Sequence, residues 1–263
     1  MPPIISRLTF SKSSNDPETW VHIISDLLTP SECTSLISKH DDALVSHNVT
    51  LTLRKRKVFD DEDLADLLWS RLSPFFGTQQ IIDEDESSWT ASHLSTRFRY
   101  CKYEAGGSFE PHFDGRRLAG VDEQSFMTVN MYLNDVPSEH GGSTRILTAC
   151  DKCTGTKSAP HEHEVLGKVP PVAGLAAVFR DSLFHDGEVL GGGVKCLLRT
   201  DVMFQRDEPF DLDRVCEGLS AEEKGKKALG LAVKLEDGNN FDGAIAWYKK
   251  AYRLNPALET GEG

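Results

Sequence analysis

The sequence predicts a mainly β fold with flanking helices and a helical hairpin at its C-terminal end. Short runs rich in β-branched and aromatic residues recur between Arg97 and Phe204, bounded by Gly, Pro or Asn. Beyond Arg206 the apolar residues recur at helical spacing instead. Many short strands separated by Gly and Pro turns are typical of a jelly roll. We therefore divide the 263 residues into a domain of residues 1–209, with its β-core at about 97–206, and a hairpin of residues 210–263.

The elements before the core are predicted from local signals. Trp20 to Ile24 has the composition of a short strand. Thr29 begins a helix, because Pro30 suits the first helical position and Glu32 completes a capping box. A second helix follows Asp60 and Asp61, where leucines recur at helical spacing. Residues 78–95 carry four consecutive acidic side chains and no periodicity, and we expect a solvated loop there.

The C-terminal segment is expected to form two helices, at residues 221–236 and 241–254, joined by a turn. Its small and aromatic residues resemble a single tetratricopeptide repeat, in which small side chains let two helices approach closely. Such repeats need about three or more units to be stable. The hairpin is therefore expected to dock on the rest of the chain, to bind a protein partner through residues 220–256, or to begin a longer array.

Composition limits the classes of function. The formal net charge of −12 argues against binding to nucleic acid, which needs clustered positive charge. The one basic run, from Arg54 to Lys57, is interpreted as a strand end with solvated charges, in preference to a nuclear-import or nucleic-acid patch. No apolar run is long enough to span a membrane, and the first residues do not resemble a signal peptide. We expect a cytoplasmic or nuclear protein whose six cysteines are reduced thiols.

A candidate metal site is the most specific feature of the sequence. If His112 and Asp114 lie on a strand, its two-residue period points both side chains to the same face. His185, 71 residues after Asp114, is a candidate third ligand, and it is followed ten residues later by Lys195. Two histidines and one carboxylate form the facial triad that holds non-haem Fe(II) and leaves coordination positions open.

The run from Arg97 to Phe204 resembles the catalytic domain of the prolyl 4-hydroxylase-like dioxygenases that depend on Fe(II) and 2-oxoglutarate. The matching pieces are Arg97-Phe98-Arg99-Tyr100 with Tyr103 and Gly106-Gly107, His112-x-Asp114, Thr128 to Asn134, Gly141 to Thr144, Pro171 to Gly174, and His185 with Lys195. The resemblance implies a double-stranded β-helix core, and 2-oxoglutarate splitting to succinate and carbon dioxide as a substrate C–H is hydroxylated. It also implies L-ascorbate as a reductant that keeps the iron ferrous.

The resemblance also implies roles for residues around the iron. Lys195 would bind the far carboxylate of 2-oxoglutarate, helped by the hydroxyl of Tyr132, and Arg199 is the alternative cation on the same strand face. Tyr103 and Thr128 would line the co-substrate site, although an ordinary core position suits each of them as well. Three further positions have two readings each. Arg97 and Arg99 would contact substrate or form scaffold salt bridges, and Asp186 would orient a ligand or lie at the surface.

The substrate and one possible second metal stay open. A prolyl or other protein side chain is the expected substrate, and a small molecule is the alternative substrate. The alternative to an enzyme is a binding module that retains the metal without turnover and acts through the helical tail. Cys150, Cys153, His161 and His163 have the side-chain types of a zinc site, but their spacing is not one of the usual finger patterns. Gly155, Ser158 and Pro160 between them favour an ordinary loop.

Overall fold

A computed structural model describes residues 3–8, 20–46, 54–149 and 163–260. The chain forms two compact units. One comprises Met1–Phe75, His93–Gly115 and Phe126–Val202, and the other comprises Phe76–Ser92, Arg116–Ser125 and Met203–Gly263. The boundary between residues 209 and 210 remains a prediction about domains. Among the described residues, no helix is both long and apolar enough to cross a membrane.

Antiparallel strands make up most of the first unit. The strands of the described chain are β1 (Ile4–Leu8), β2 (Val21–Ser25), β3 (Val45–Ser46), β4 (Lys55–Asp60), β5 (Gln80–Ile82), β6 (Ser88–Leu94), β7 (Arg97–Glu104), β8 (Phe109–His112), β9 (Leu118–Gly120), β10 (Glu123–Tyr132), β11 (Thr144–Leu147), β12 (Val165–Val169), β13 (Ala176–Arg180), β14 (His185–Gly187) and β15 (Val194–Arg206). The larger sheet runs in the order β1-β2-β13-β10-β15-β7-β4-β3, and the smaller sheet in the order β12-β11-β14-β8.

A shared hydrophobic core lies between these two sheets. Tyr132 and Phe179 of the larger sheet and Ile146 and Val169 of the smaller one belong to a single cluster of buried residues. Two antiparallel sheets that enclose such a core are typical of a double-stranded β-helix, or jelly roll. The predicted fold class, a mainly β jelly roll with flanking helices and a C-terminal helical hairpin, is confirmed.

The flanking helices begin where the local signals indicate. The described α-helices are α1 (Pro30–His40), α2 (Glu62–Phe76), α3 (Leu212–Val215), α4 (Ala221–Asp237), α5 (Phe241–Leu254) and α6 (Ala257–Thr260). Thr29 caps α1 through the predicted capping box with Glu32. Glu32 also receives two hydrogen bonds from Arg71 of α2, at 2.7 and 2.9 Å, so the cap of one helix is tied to the next.

The expected loop over residues 78–95 is wrong, because β5 and β6 form an antiparallel hairpin there. Trp89 and Ile81 of this hairpin are buried, and their burial stabilises it. The acidic residues between the strands made this segment resemble a loop in the sequence. The acidic run is the turn between the strands. Asp83 accepts hydrogen bonds from the backbone N–H groups of Asp85 and Ser87 through Oδ1, and from the indole of Trp89 through Oδ2.

The helical hairpin belongs to the second unit and packs there against β9. Leu118 of β9 is buried with Leu235 of α4 and Ala244 of α5. The side chain of Asn240, between the two helices, donates a hydrogen bond to the backbone oxygen of Ala119 at 2.7 Å. The hairpin therefore covers its apolar face partly on its own chain. Its assignment as a tetratricopeptide-like repeat, with a partner, remains a prediction.

Candidate metal centre and adjoining cavity

The structure brings His112, Asp114 and His185 together at neighbouring strand ends. His112 ends β8 and His185 begins β14, and the two residues are directly paired in the smaller sheet. Asp114 lies two residues beyond β8, where its N–H donates to the backbone oxygen of Asp181 at 3.2 Å. The Nε2 atom of each histidine lies 3.6 Å from an oxygen of Asp114. The three ligand atoms lie within 4.8 Å of one another, so one metal ion could contact all three.

Backbone contacts orient both imidazoles toward this centre. The Nδ1 atom of His112 lies 2.7 Å from the backbone oxygen of Glu110, and that of His185 lies 2.8 Å from the backbone oxygen of Leu183. A carbonyl oxygen only accepts, so the Nδ1 atom of each histidine donates, and in the neutral imidazole this leaves the lone pair on Nε2. Metal-ligating histidines are commonly held in this way. The arrangement therefore fits a metal ion bound through the two Nε2 atoms.

Electrostatics favours the protonation states that a metal ion needs. Burial lowers the pKa of His185 to about 4, although Asp114 opposes the shift, so this imidazole is neutral at pH 7. Burial by itself would raise the pKa of Asp114. The guanidinium of Arg199 and the nearby histidines outweigh burial and hold that pKa well below its usual range. The site thus offers a carboxylate and a neutral imidazole at neutral pH.

Two other predicted residues contact the carboxylate of Asp114 directly. The hydroxyl of Thr128 donates to Oδ2 at 2.6 Å, and Nη1 of Arg199 lies 2.6 Å from Oδ1. Nη2 of Arg199 lies 3.3 Å from Asp201 on the same strand. Thr128 and Arg199 therefore fix the orientation of the carboxylate from its outer side.

A cavity of about 40 Å³ adjoins the triad. Most of the side chains that line it are polar or charged. The lining residues are Arg54, Arg99, Cys101, Tyr103, Phe109, His112, Asn130, Thr144, His185, Asp186, Gly187, Lys195, Leu197 and Arg199. Four of these side chains carry a positive charge, which is a large number for a cavity of this size.

Lys195 is the most deeply buried of the four cations, with only 3% of the residue exposed. Its ammonium donates to the backbone oxygen of Gly142 at 2.5 Å and lies 5.2 and 5.6 Å from the ring centres of Tyr103 and Tyr132. Within the described part of the chain, no carboxylate forms an ion pair with it. Burial lowers the pKa of Lys195 to about 8. An anion in the cavity would supply the missing counter-charge.

The two tyrosines keep their phenol protons at neutral pH. Tyr132 donates to the hydroxyl of Thr144 at 2.7 Å, and burial raises the pKa of Tyr132. Burial also raises the pKa of Tyr103 to about 12. Its hydroxyl accepts a hydrogen bond from Nη1 of Arg54 at 3.0 Å. Both phenols are therefore protonated at neutral pH, and their rings lie near the ammonium of Lys195.

Arg99 and Asp186 each had two predicted roles, one at the site and one away from it. Arg99 lines the cavity and also pairs with Asp201 at 3.2 Å. Asp186 is buried, with 3% exposed, so the surface reading is wrong. Its carboxylate accepts from Arg145 at 2.8 and 2.5 Å. Arg97, in contrast, is not among the cavity-lining residues.

Sequence reasoning missed three polar residues of the cavity: Arg54, Asn130 and Thr144. The reading of Arg54 as a solvated charge is wrong, because its guanidinium stacks on Phe109 and reaches the hydroxyl of Tyr103. Asn130 was detectable, since it lies between Thr128 and Tyr132 with the same two-residue period. Its buried Oδ1 has no hydrogen-bond partner among the described residues.

The candidate zinc residues lie mainly outside the described part of the chain, which omits residues 150–162. Only His163 of the four is described, and its Nδ1 lies 3.1 Å from the backbone oxygen of Thr148. The zinc site stays a prediction. The four described cysteines, Cys33, Cys101, Cys196 and Cys216, are buried free thiols.

No protein-family model matches the sequence, and no curated protein matches it either. Solved structures similar to this chain include prolyl 4-hydroxylases and other 2-oxoglutarate/Fe(II) oxygenases. A prolyl 4-hydroxylase from Pseudomonas putida is 16% identical, covers 75% of this chain and 97% of its own, and has a TM-score of 0.48. HygX from Streptomyces hygroscopicus, with nickel and 2-oxoglutarate bound, is 13% identical over 73% of this chain and 84% of its own, with a TM-score of 0.47.

A prolyl hydroxylase from Trichoplax adhaerens, in complex with a hypoxia inducible factor peptide fragment, is also similar. It is 13% identical, covers 74% of this chain and 86% of its own, and has a TM-score of 0.47. Because all three identities and TM-scores are low, the site itself has to support any function.

Proposed function

We propose that the protein is an Fe(II)- and 2-oxoglutarate-dependent dioxygenase that hydroxylates a C–H bond of its substrate. His112, Asp114 and His185 would hold the iron, since they supply two imidazoles and a carboxylate that meet at one point. When bound, iron would supply the position at which dioxygen, the oxidant, reacts: one oxygen atom would enter the succinate that forms from 2-oxoglutarate with loss of carbon dioxide, and the other would enter the substrate C–H bond. The convergence of these three buried side chains is the observation that carries the proposal.

The adjoining cavity supports 2-oxoglutarate as the co-substrate. Lys195 would bind its distal carboxylate, because this ammonium is buried without a carboxylate partner in the described chain. Tyr103 and Tyr132 lie beside that ammonium and add hydroxyl groups. Thr128 and Arg199 would act on the iron only indirectly, by fixing the carboxylate of Asp114. L-Ascorbate would serve as the reductant that keeps the iron ferrous.

The substrate class within this chemistry is a finer proposal. A prolyl or other protein side chain remains our expectation, with a small molecule as the alternative. The competing function is a binding module that keeps a metal ion but does not turn over 2-oxoglutarate. Turnover separates these two classes, because a binding module releases no succinate.

The first experiment measures succinate formed from 2-oxoglutarate with Fe(II), alongside metal binding by equilibrium dialysis. We expect wild-type protein to bind one Fe(II) anaerobically and, once air is admitted, to release succinate slowly even without a primary substrate. Asp114→Ala should lose both properties while its circular dichroism spectrum is unchanged. His140→Ala is the matched control, because His140 is a half-buried histidine outside the triad. Bound Fe(II) without succinate would support the binding module, and full Fe(II) retention by Asp114→Ala would remove this residue from the triad.

A further inference from the structure

The four cations of the cavity fall into two groups by the charges around them. Arg99 and Arg199 are balanced, because both pair with Asp201 and Arg199 also pairs with Asp114. Lys195 and Arg54 form no ion pair with a carboxylate of the described chain. A buried cation without a counter-charge is costly, and sites that bind anions commonly carry one. The proposed function accounts for Lys195 and leaves Arg54 without a role.

The contacts of Arg54 keep its guanidinium in place without neutralising it. Its Cζ lies 4.2 Å from the ring centre of Phe109, and Nη1 donates to the hydroxyl of Tyr103. Its Nε is buried and has no hydrogen-bond partner among the described residues. The stacked face and one N–H are thus used, and the remaining N–H groups can form the two-pronged contact that arginine makes with carboxylates and other oxyanions.

The position of Arg54 relates it to the metal centre. The ring of Phe109, on which its guanidinium stacks, lies 3.9 Å from the ring centre of His112. One aromatic ring therefore separates Arg54 from a triad imidazole. Arg54 is partly exposed, whereas Lys195 is almost completely buried. Of the two cations, the more exposed Arg54 is therefore the one available to a molecule that arrives from solvent after a ligand has occupied Lys195.

We propose that Arg54 binds an anionic group of the primary substrate, so that this enzyme hydroxylates a compound or side chain that carries a carboxylate or a similar oxyanion. The proposal rests on the proposed function, because it distinguishes the primary substrate from 2-oxoglutarate. The unpartnered Oδ1 of Asn130 adds a hydrogen-bond acceptor in the same cavity, suited to an N–H or O–H of the same ligand.

Sulfate is the first probe, and the protein is first saturated with Mn(II) and 2-oxoglutarate, so that Lys195 is occupied and no turnover occurs. Equilibrium dialysis should then find one bound sulfate per chain. Arg54→Gln should weaken sulfate binding about tenfold or more, because a charged hydrogen-bonding partner is lost. Arg54→Lys should retain part of the affinity. Lys55→Gln is the matched control, because Lys55 is exposed and pairs with Glu104.

Two competitors identify the source of the anion. Displacement of sulfate by acetate alone indicates a small carboxylic acid. Displacement by a capped Ala-Glu-Ala peptide, but not by a capped Ala-Gln-Ala peptide, indicates an acidic side chain. If neither displaces it, the site is restricted to tetrahedral oxyanions.

The inference is overturned if the loaded protein binds no sulfate, or if Arg54→Gln binds it as tightly as the wild type. It is also overturned if sulfate competes with 2-oxoglutarate, since Arg54 would then bind the co-substrate. These outcomes differ from failure of the proposed function, which would appear as failure to bind Mn(II) or 2-oxoglutarate, or as the absence of succinate in the turnover experiment with Fe(II). Unchanged binding of both by Arg54→Gln shows that this variant is folded.

Discussion

Nη1 of Arg199 lies 2.6 Å from Oδ1 of Asp114, so the carboxylate of the candidate metal site is already paired with a buried cation of its own chain. The two residues are 85 positions apart in the sequence and meet because β15 brings Arg199 to the end of β8. This pair provides a counter-charge for Asp114 that does not depend on a metal ion. The stability of the metal-free protein should therefore depend on Arg199 more than that of the metal-bound protein.

Replacing Arg199 by Gln should destabilise the metal-free protein by roughly 3 kcal/mol, since it leaves a buried carboxylate without a cation. With Mn(II) bound, the metal supplies the missing positive charge, and the loss should be less than half as large. Thermal unfolding of wild type and variant, with and without Mn(II), measures both differences. An equal loss in the two states would mean that Arg199 stabilises the fold without compensating Asp114.

The sequence predicted the class of fold and the clustering of His112, Asp114 and His185 from signals of different kinds. The alternation of short strands with Gly and Pro turns is a local signal, and it limits a core of this length to a few architectures. The two-residue spacing of His112 and Asp114 is also local, although β8 ends at His112 and Asp114 lies two residues beyond the strand that was expected to hold both. His185 is not related to them by any local signal, and it was a candidate ligand only through the wider set of motifs and the resemblance that they carry.

Contacts that depend on tertiary packing were not predictable in the same way. The sequence of a charged run does not show whether each side chain lies in water or in a cavity. Arg54 and Lys55 are neighbouring cations, yet Arg54 lines the cavity and Lys55 pairs with Glu104. The hairpin of β5 and β6 was missed because Asp83 stabilises the turn through hydrogen bonds that composition does not reveal. The ion pair of Arg199 with Asp114 likewise requires the register of β15.

The packing of the helical hairpin within the second unit depends on Gly238. A Cβ atom added there would lie 2.2 Å from the backbone oxygen of Leu118, which cannot move aside as a side chain can. Gly238→Ala should therefore cost about 1–3 kcal/mol through overpacking.

Gly230 is the matched control for that substitution, because nothing lies within 4 Å of its added Cβ. Gly230→Ala in the interior of α4 should stabilise the protein by about 0.5–1 kcal/mol. Urea unfolding of the two variants measures both effects. Stabilisation by both substitutions would show that the hairpin does not pack on Leu118 in solution.

The buried ammonium of Lys195 predicts a stability that changes with pH. Its pKa is about 8 in the folded protein, against 10.5 for an ordinary lysine, so the unfolded chain binds the proton more tightly. Between these two values the cost of burying the charge disappears as pH rises, because the folded protein loses its proton first. Below pH 8 the free energy of unfolding is lowered by the full cost of burying the charge, about 3 kcal/mol.

Lys195→Met should accordingly be more stable than wild type at pH 7, by a margin that shrinks between pH 8 and pH 10.5. Urea unfolding of the two proteins at pH 7, 8.5 and 10 gives this margin at each pH, and the comparison cancels other titrating groups. A margin that does not change with pH would indicate that Lys195 has an ordinary pKa and hence a nearby counter-charge.

Lys195, and not Arg199, should anchor the distal carboxylate of 2-oxoglutarate. Both lie on one face of β15 and line the cavity, but Arg199 is already engaged by Asp114 and Asp201, whereas Lys195 donates to a neutral carbonyl oxygen. A ligand carboxylate that replaces this carbonyl gains a charged hydrogen bond, which is stronger.

In Mn(II)-saturated protein, Lys195→Ala should weaken 2-oxoglutarate binding about a hundredfold, and Lys195→Arg should restore only part of it. Arg199→Gln should change the affinity by less than about fivefold once the metal site is full. Isothermal titration calorimetry measures all three, and the reverse ranking would transfer the carboxylate to Arg199 while leaving the metal ligands unchanged.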